Sequence, residues 1–116
     1  MNKYGNKYGA RKVTYDGVTF DSRLEHRRWC ELQPLERAGE ISDLQRQVHF
    51  ELIPAVRGKG GKIEERPVVY IADFVYKDHD GNQIVEDAKG AKTREYIIKR
   101  KLMRFVHGIK IREVKR

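Results

Sequence analysis

Sulfur and imidazole are scarce in this 116-residue chain, which has one cysteine, Cys30, and four scattered histidines, His26, His49, His79 and His107. A single thiol cannot form an internal disulfide, which points to a reducing, cytoplasmic compartment. The histidines and the cysteine lack the spacing of a zinc site, so any metal here should be a hard cation held by oxygen. No apolar run reaches the length of a signal peptide or a membrane span, which excludes a membrane as partner. Apolar residues make up 39% of the chain, enough for one core with little to spare, so a single domain is expected. Nor is there the aromatic strand signature with which RNA-recognition sheets stack bases, which argues against an RNA-binding accessory role. What is abundant is positive charge. The 25 Lys and Arg against 17 Asp and Glu leave a net +8, which favours a polyanion such as nucleic acid, although a merely soluble protein can be equally basic.

Residues 1–11 open with a doubled Asn-Lys-Tyr-Gly, polar and punctuated by glycine, and read as a flexible basic arm ahead of a single domain over residues 12–116. Lys12 to Phe20 suggests a small hairpin about Asp16-Gly17. Ser22 to Ala38 reads as a helix: Ser22 caps it, Glu25 closes a capping box, Leu24, Trp29, Leu32 and Leu35 offer a buried stripe, and Gly39 follows its end. Pro34 should bend it. From Leu44 to Ile53, Leu44, Val48, Phe50 and Leu52 alternate with Gln45, Gln47, His49 and Glu51 as a half-buried strand, with Arg46 out of pattern. Arg57 to Arg66, rich in Gly, Lys and Glu, reads as a flexible loop.

Val68 to Tyr76 and Gln83 to Lys89 then form a hairpin, and Thr93 caps a helix to about His107 in which Ile98, Leu102, Phe105 and Val106 face inward. After Gly108, Ile109 to Val114 is a last strand. The Val68 to Tyr76 strand is apolar on both faces, with Val69, Ile71 and Val75 on one and Tyr70, Ala72 and Phe74 on the other. This predicts an α/β fold in the order αβββαβ, a central mixed sheet flanked by two helices with a hairpin ahead of it.

The second hairpin carries the chemistry. His79-Asp80-Gly81 suits a three-residue loop, a type I turn followed by a left-handed glycine, with Asp78 pairing Asn82. Counting back from there pairs Tyr76 with Ile84 and Val75 with Val85, and puts Asp73 opposite Asp87. Opposed carboxylates whose Cβ atoms are ~5 Å apart repel by on the order of 3 kcal/mol at an effective dielectric of about 20. A divalent cation removes that penalty. Alternation places Asp87 and Lys89 on one face and Glu86 on the other, where it should meet a basic helix residue. Phosphodiester hydrolysis needs oxygen ligands for Mg²⁺, a water deprotonated nearby and a cation for the charge growing on phosphorus. Asp73, Asp87 and the intervening Ala88 carbonyl can supply the ligands, and Lys89 can orient or deprotonate the water. A plain salt bridge between Lys89 and two surface aspartates is the competing reading.

The pattern Ile71-Ala72-Asp73-Phe74, a hairpin, then Val85-Glu86-Asp87-Ala88-Lys89-Gly90 resembles the PD-(D/E)XK nuclease superfamily and its restriction-endonuclease-like core, with Ala72 where the superfamily's name has proline. The stretch from Lys7-Tyr8-Gly9 through Arg112-Glu113-Val114 is similar to a family of small phage and prophage proteins catalogued as a domain of unknown function. The resemblance implies Asp73 and Asp87 as metal ligands, Lys89 as the catalytic lysine, and Mg²⁺ as cofactor with Mn²⁺ able to substitute. It also implies Glu25 as a further catalytic ligand, in competition with its capping role. DNA is then the partner, cut as branched or structured DNA in phage recombination, replication or packaging inside a bacterial host. A resolvase cuts two strands, which leaves room for a homodimer.

Lys92 and Arg94 lie close to Lys89 in sequence and precede a helix N-terminus suited to anions, so they lead the candidates for nucleic-acid contact. Arg28 and Gln47 follow, the latter with an ordinary solvent-facing strand glutamine as its alternative. For the whole chain, the competing function is a non-catalytic DNA-binding or assembly factor on the same fold.

Overall fold

The computed structural model describes residues 12–89 and 91–115, and the arm expected over residues 1–11 lies outside them. Strands β1 (Val13–Tyr15) and β2 (Val18–Phe20) form the first hairpin. Its turn residues Asp16 and Gly17 both have positive φ, at 52° and 77°, as a type I′ turn requires. Helix α1 (Arg23–Arg37) starts where the capping box places it, with Ser22 Oγ accepting the Glu25 N–H at 3.1 Å. Pro34 sits inside the helix without ending it.

Four strands make the central sheet, in the order β3 (Ser42–Ile53), β6 (Val68–Lys77), β7 (Gln83–Ala88), β8 (Arg112–Val114). The first three are antiparallel neighbours and β8 runs parallel to β7. A parallel return needs a crossover, and helix α2 (Arg94–His107) provides it. Thr93 caps α2 by accepting the Tyr96 N–H at 3.1 Å, and Gly108 ends it at φ 69°. On one side of the sheet α1 lays Leu32, with Trp29 and Leu35 alongside, over Phe74, Tyr76 and Ile41. On the other, α2 lays Tyr96 and Met103 over Tyr70, Ala72, Val75, Val85 and Ile111. No helix of the described residues is long and apolar enough to cross a membrane.

Three expectations need correction. Residues Arg57 to Arg66 are not a plain loop: β4 (Val56–Arg57) pairs with β5 (Ile63–Glu65) in a small hairpin of its own. In α2 the inward face belongs to Tyr96 and Met103, seven residues apart, while Ile98 is 58% and Phe105 88% exposed and only Leu102 of the expected stripe packs on the core. Apart from Leu102, the apolar stripe read in the sequence lies on the exposed side of the helix. Finally, strict alternation fails on β6, because Ala72 packs under α2 and Phe74 under α1.

Candidate functional site

That failure of alternation positions the site. The β3–β6 ladder runs from Arg46 with Phe74 to Val48 with Ala72, and Gln47 with Asp73 is missing from it. Gln47 has φ 54°, a left-handed backbone in mid-strand, and β3 changes faces at the same level, with Leu44 packing under α1 and Val48 under α2. Asp73 thus stands at the point where both strands rotate, and its carboxylate meets groups from either face.

Three carboxylates converge there. Asp21, Glu25 and Asp73 each offer an oxygen, and these oxygens lie within 4.8 Å of one another. Asp21 is exposed in the turn after β2, Asp73 half-buried, and Glu25 only 1% exposed on the first turn of α1. The capping box explains the first pairing. Its glutamate folds back over the residues ahead of the helix, and Glu25 Oε1 accepts the Asp21 backbone N–H at 3.0 Å. Glu25 Oε2 accepts from Gln47 Nε2 at 3.1 Å, and the Arg46 guanidinium lies 3.5 Å from Oε1. Arg46 is itself held over the Phe20 ring at 4.2 Å and donates to the Thr19 carbonyl at 3.1 Å. The two roles weighed for Glu25 are therefore compatible: one carboxylate caps the helix and joins the cluster.

Asp73 Oδ2 accepts the Ala88 N–H at 2.8 Å, and strand geometry turns the Ala88 carbonyl toward the same edge. The expected hairpin register holds through Val75 with Val85 and Phe74 with Glu86, one step short of Asp73 and Asp87. Asp87, 2% exposed, accepts the Tyr70 hydroxyl at 2.7 Å and lies 3.6 Å from Lys89 Nζ. Lys89 Nζ in turn sits 4.6 Å from the centre of the Tyr96 ring. Burial pushes the Asp73 carboxyl far above the usual carboxylate range, and the neighbouring Asp87 and Glu25 push it further. Burial and then the Asp87 charge raise the Tyr70 phenol, which keeps its proton as the donor to Asp87. An all-oxygen cluster partly out of water, with its own charges in conflict, is suited to a hard divalent cation.

The nucleic-acid candidates fare differently. Gln47 is a partner of Glu25. Arg28 is committed to Glu86, its Nε donating to Oε1 at 2.8 Å and its Nη2 to Oε2 at 2.7 Å. Glu86 does meet the basic helix residue expected of it. Lys92 pairs with Glu113 at 2.9 Å, and Arg94 is exposed with no ion-pair partner among the described residues. Sequence reasoning passed over Asp21 and Arg46. Asp21 was legible as the residue onto which a capping-box glutamate folds, and Arg46 as the charge that breaks the alternation of β3.

The fold and its acidic centre define a mixed α/β protein with converging carboxylates where the sheet meets its first helix. The chain belongs to the DUF1064 family of proteins of unknown function, whose model matches residues 5–116. No curated protein matches it.

Proposed function

We propose that the protein is a Mg²⁺-dependent DNA endonuclease of the PD-(D/E)XK type. The observation that carries this reading is the convergence of Asp21, Glu25 and Asp73 within 4.8 Å, next to Asp87, with Lys89 at 3.6 Å from that aspartate. The donor set is entirely oxygen, and the burial and acidic neighbours that together raise the Asp73 carboxyl are what a divalent cation offsets. Asp73, Glu25 and Asp21 would hold the ion, with Asp87 and the Ala88 carbonyl at its edge. Mg²⁺, or Mn²⁺ in its place, held by these residues would supply Lewis acidity toward water and the scissile phosphate.

The chain's own residues then have separable tasks. Arg46 and Gln47 fix the Glu25 carboxylate, and Tyr70 fixes that of Asp87. Lys89, partly exposed beside Asp87, orients the attacking water and offsets negative charge on the phosphate. The net +8 draws in the polyanion. Selectivity for branched or structured DNA rests on the resemblance to small resolvases of the superfamily.

The test uses purified protein with branched, duplex and single-stranded DNA in Mg²⁺, Mn²⁺ or EDTA. Cleavage should require metal and fall on the order of 10²–10³-fold in Asp73→Asn, Asp87→Asn and Lys89→Ala proteins that still bind DNA. Cleavage that survives all three substitutions overturns the assignment. Tight binding without cleavage in either metal leaves a DNA-binding or assembly factor.

A further inference from the structure

The face of the sheet under α2 holds a second feature. Arg100, Lys101, Arg104, Lys110, Ile111 and Glu113 line a cavity of about 330 Å³ between α2 and β8. Four of the six are cations, and Glu113 is already taken on both oxygens, by Lys92 at 2.9 Å and by Arg100 at 2.8 Å. Lys101, Arg104 and Lys110 have no carboxylate partner among the described residues. Cations gathered without a counter-charge repel one another, and an anion seated between them reverses the sign.

Position identifies the anion. Glu113 is the register partner of Asp87 on the adjacent parallel strand, so the cleft lies one strand from the acidic centre. Lys89 over the Tyr96 ring and the Tyr96 hydroxyl on Glu113, at 2.7 Å, make a continuous line between the two. We propose that the α2–β8 cleft binds a backbone phosphate of the same nucleic acid whose scissile phosphate meets the acidic centre. This rests on the nuclease reading for the place of the scissile phosphate, whereas binding in the cleft stands or falls separately. The ligand is a polynucleotide and not free phosphate, because the cleft lies one strand from the acidic centre, where a chain passing through that centre carries further phosphates.

Two triple variants with equal loss of charge test it. One is Lys101→Gln/Arg104→Gln/Lys110→Gln, and the other the scattered Arg37→Gln/Lys62→Gln/Lys77→Gln, all at exposed positions. DNA affinity is measured against salt in EDTA, where metal-dependent cleavage is off. The cleft variant should lose roughly tenfold or more at moderate salt, with the slope of log affinity against log salt falling by about 0.9 for each phosphate contact removed. The scattered variant should lose much less. Lys101→Gln alone, on an exposed helix face, should give part of the same slope change and guards against misfolding of the triple. Equal losses in the two triples, no loss in either, or no DNA binding by the wild type overturns the proposal. So does orthophosphate competing far better than chloride at matched ionic strength, which would mark a free-anion pocket. Cleavage in Mg²⁺ is scored apart. Its absence together with cleft-dependent binding sinks only the nuclease reading, and its presence with cleft-independent binding sinks only the cleft.

Discussion

Glu86 and Asp87 are consecutive on β7 and equally hidden, at 0% and 2% exposed, yet the molecule treats them in opposite ways. Glu86 points under α1, where Arg28 grips both its oxygens, the Tyr76 hydroxyl donates to it and Arg112 stands 3.9 Å away. Its bond to Arg28 holds that guanidinium above its already high ordinary value. Asp87 points under α2 and has one phenol, one lysine at 3.6 Å, and the raised carboxyl of Asp73 nearby. One acid is neutralised to tie a helix to a strand, and the other is left among acids. Strand alternation alone sorts the two, and the difference separates a strut from a site.

Removing a partner from each side should therefore act with opposite sign. Arg28→Ala strands a fully buried carboxylate and should destabilise the protein by roughly 3–5 kcal/mol in denaturant unfolding. Asp73→Asn replaces a carboxyl that must take up a proton to be buried and should stabilise the metal-free protein near neutral pH by on the order of 1–3 kcal/mol. The sign follows from the direction of the shift. A carboxyl raised on folding binds its proton more tightly in the native state, so its contribution is favourable below the unfolded value near 3.8 and is lost as pH climbs toward the raised native value. Metal-free wild type should lose stability across that range, and the Asp73→Asn protein should lose less. Mg²⁺ should restore the wild type and leave the variant unmoved. A destabilised Asp73→Asn protein would contradict the electrostatic account of the cluster.

Gln47 offers a finer cut, since its φ of 54° makes it a strained residue kept for position. Gln47→Gly relieves the backbone but removes the donor to Glu25. Thermal stability without metal should hold or rise, by up to about 1 kcal/mol, while Mg²⁺ affinity read from metal-induced stabilisation falls roughly tenfold or more. A parallel loss of both would make Gln47 merely structural.

How much of this was readable in advance follows the range of the interactions. The capping box, the register of the β6–β7 hairpin as far as Phe74 with Glu86 and the cap of α2 are set within a few residues of chain, and all were legible. Glu86 pointing to a helix cation followed from counting by two. The switch at Gln47 was not legible, because a left-handed strand residue carries no local signal when it is not glycine, and with it went the correct faces of Ala72 and Phe74. The inward face of α2 was misassigned for a related reason. Ile98 and Phe105 satisfy helical periodicity as well as Tyr96 and Met103 do, and only the packing of α2 on the sheet decides which set is covered. Arg46 joins the centre through contacts that exist only once β3 packs beside α1, whereas Asp21 meets Glu25 within four residues of chain.

Glu113 is the intermediate case, a carboxylate fully partnered but close to solvent, and it should give the smallest effect. Burial opposes its ionised form, but hydrogen bonds from Lys92, Tyr96 and Arg100 outweigh that and bring its carboxyl down from 4.5 to about 2. A group depressed on folding contributes stability that is complete above its unfolded value and fades as pH falls toward the native one. Wild type should therefore lose a small increment between pH 4.5 and about 2 that Glu113→Gln lacks. Screening of so accessible a pair keeps the increment under about 1 kcal/mol, and added salt should shrink it further. The same substitution releases Lys92 and Arg100 from their partner. If the cleft beside β8 receives phosphate, Glu113→Gln should tighten DNA binding at low salt even as it slightly weakens the fold above pH 4.5, with the difference vanishing in acid, and a variant that binds more weakly would place Glu113 with the struts.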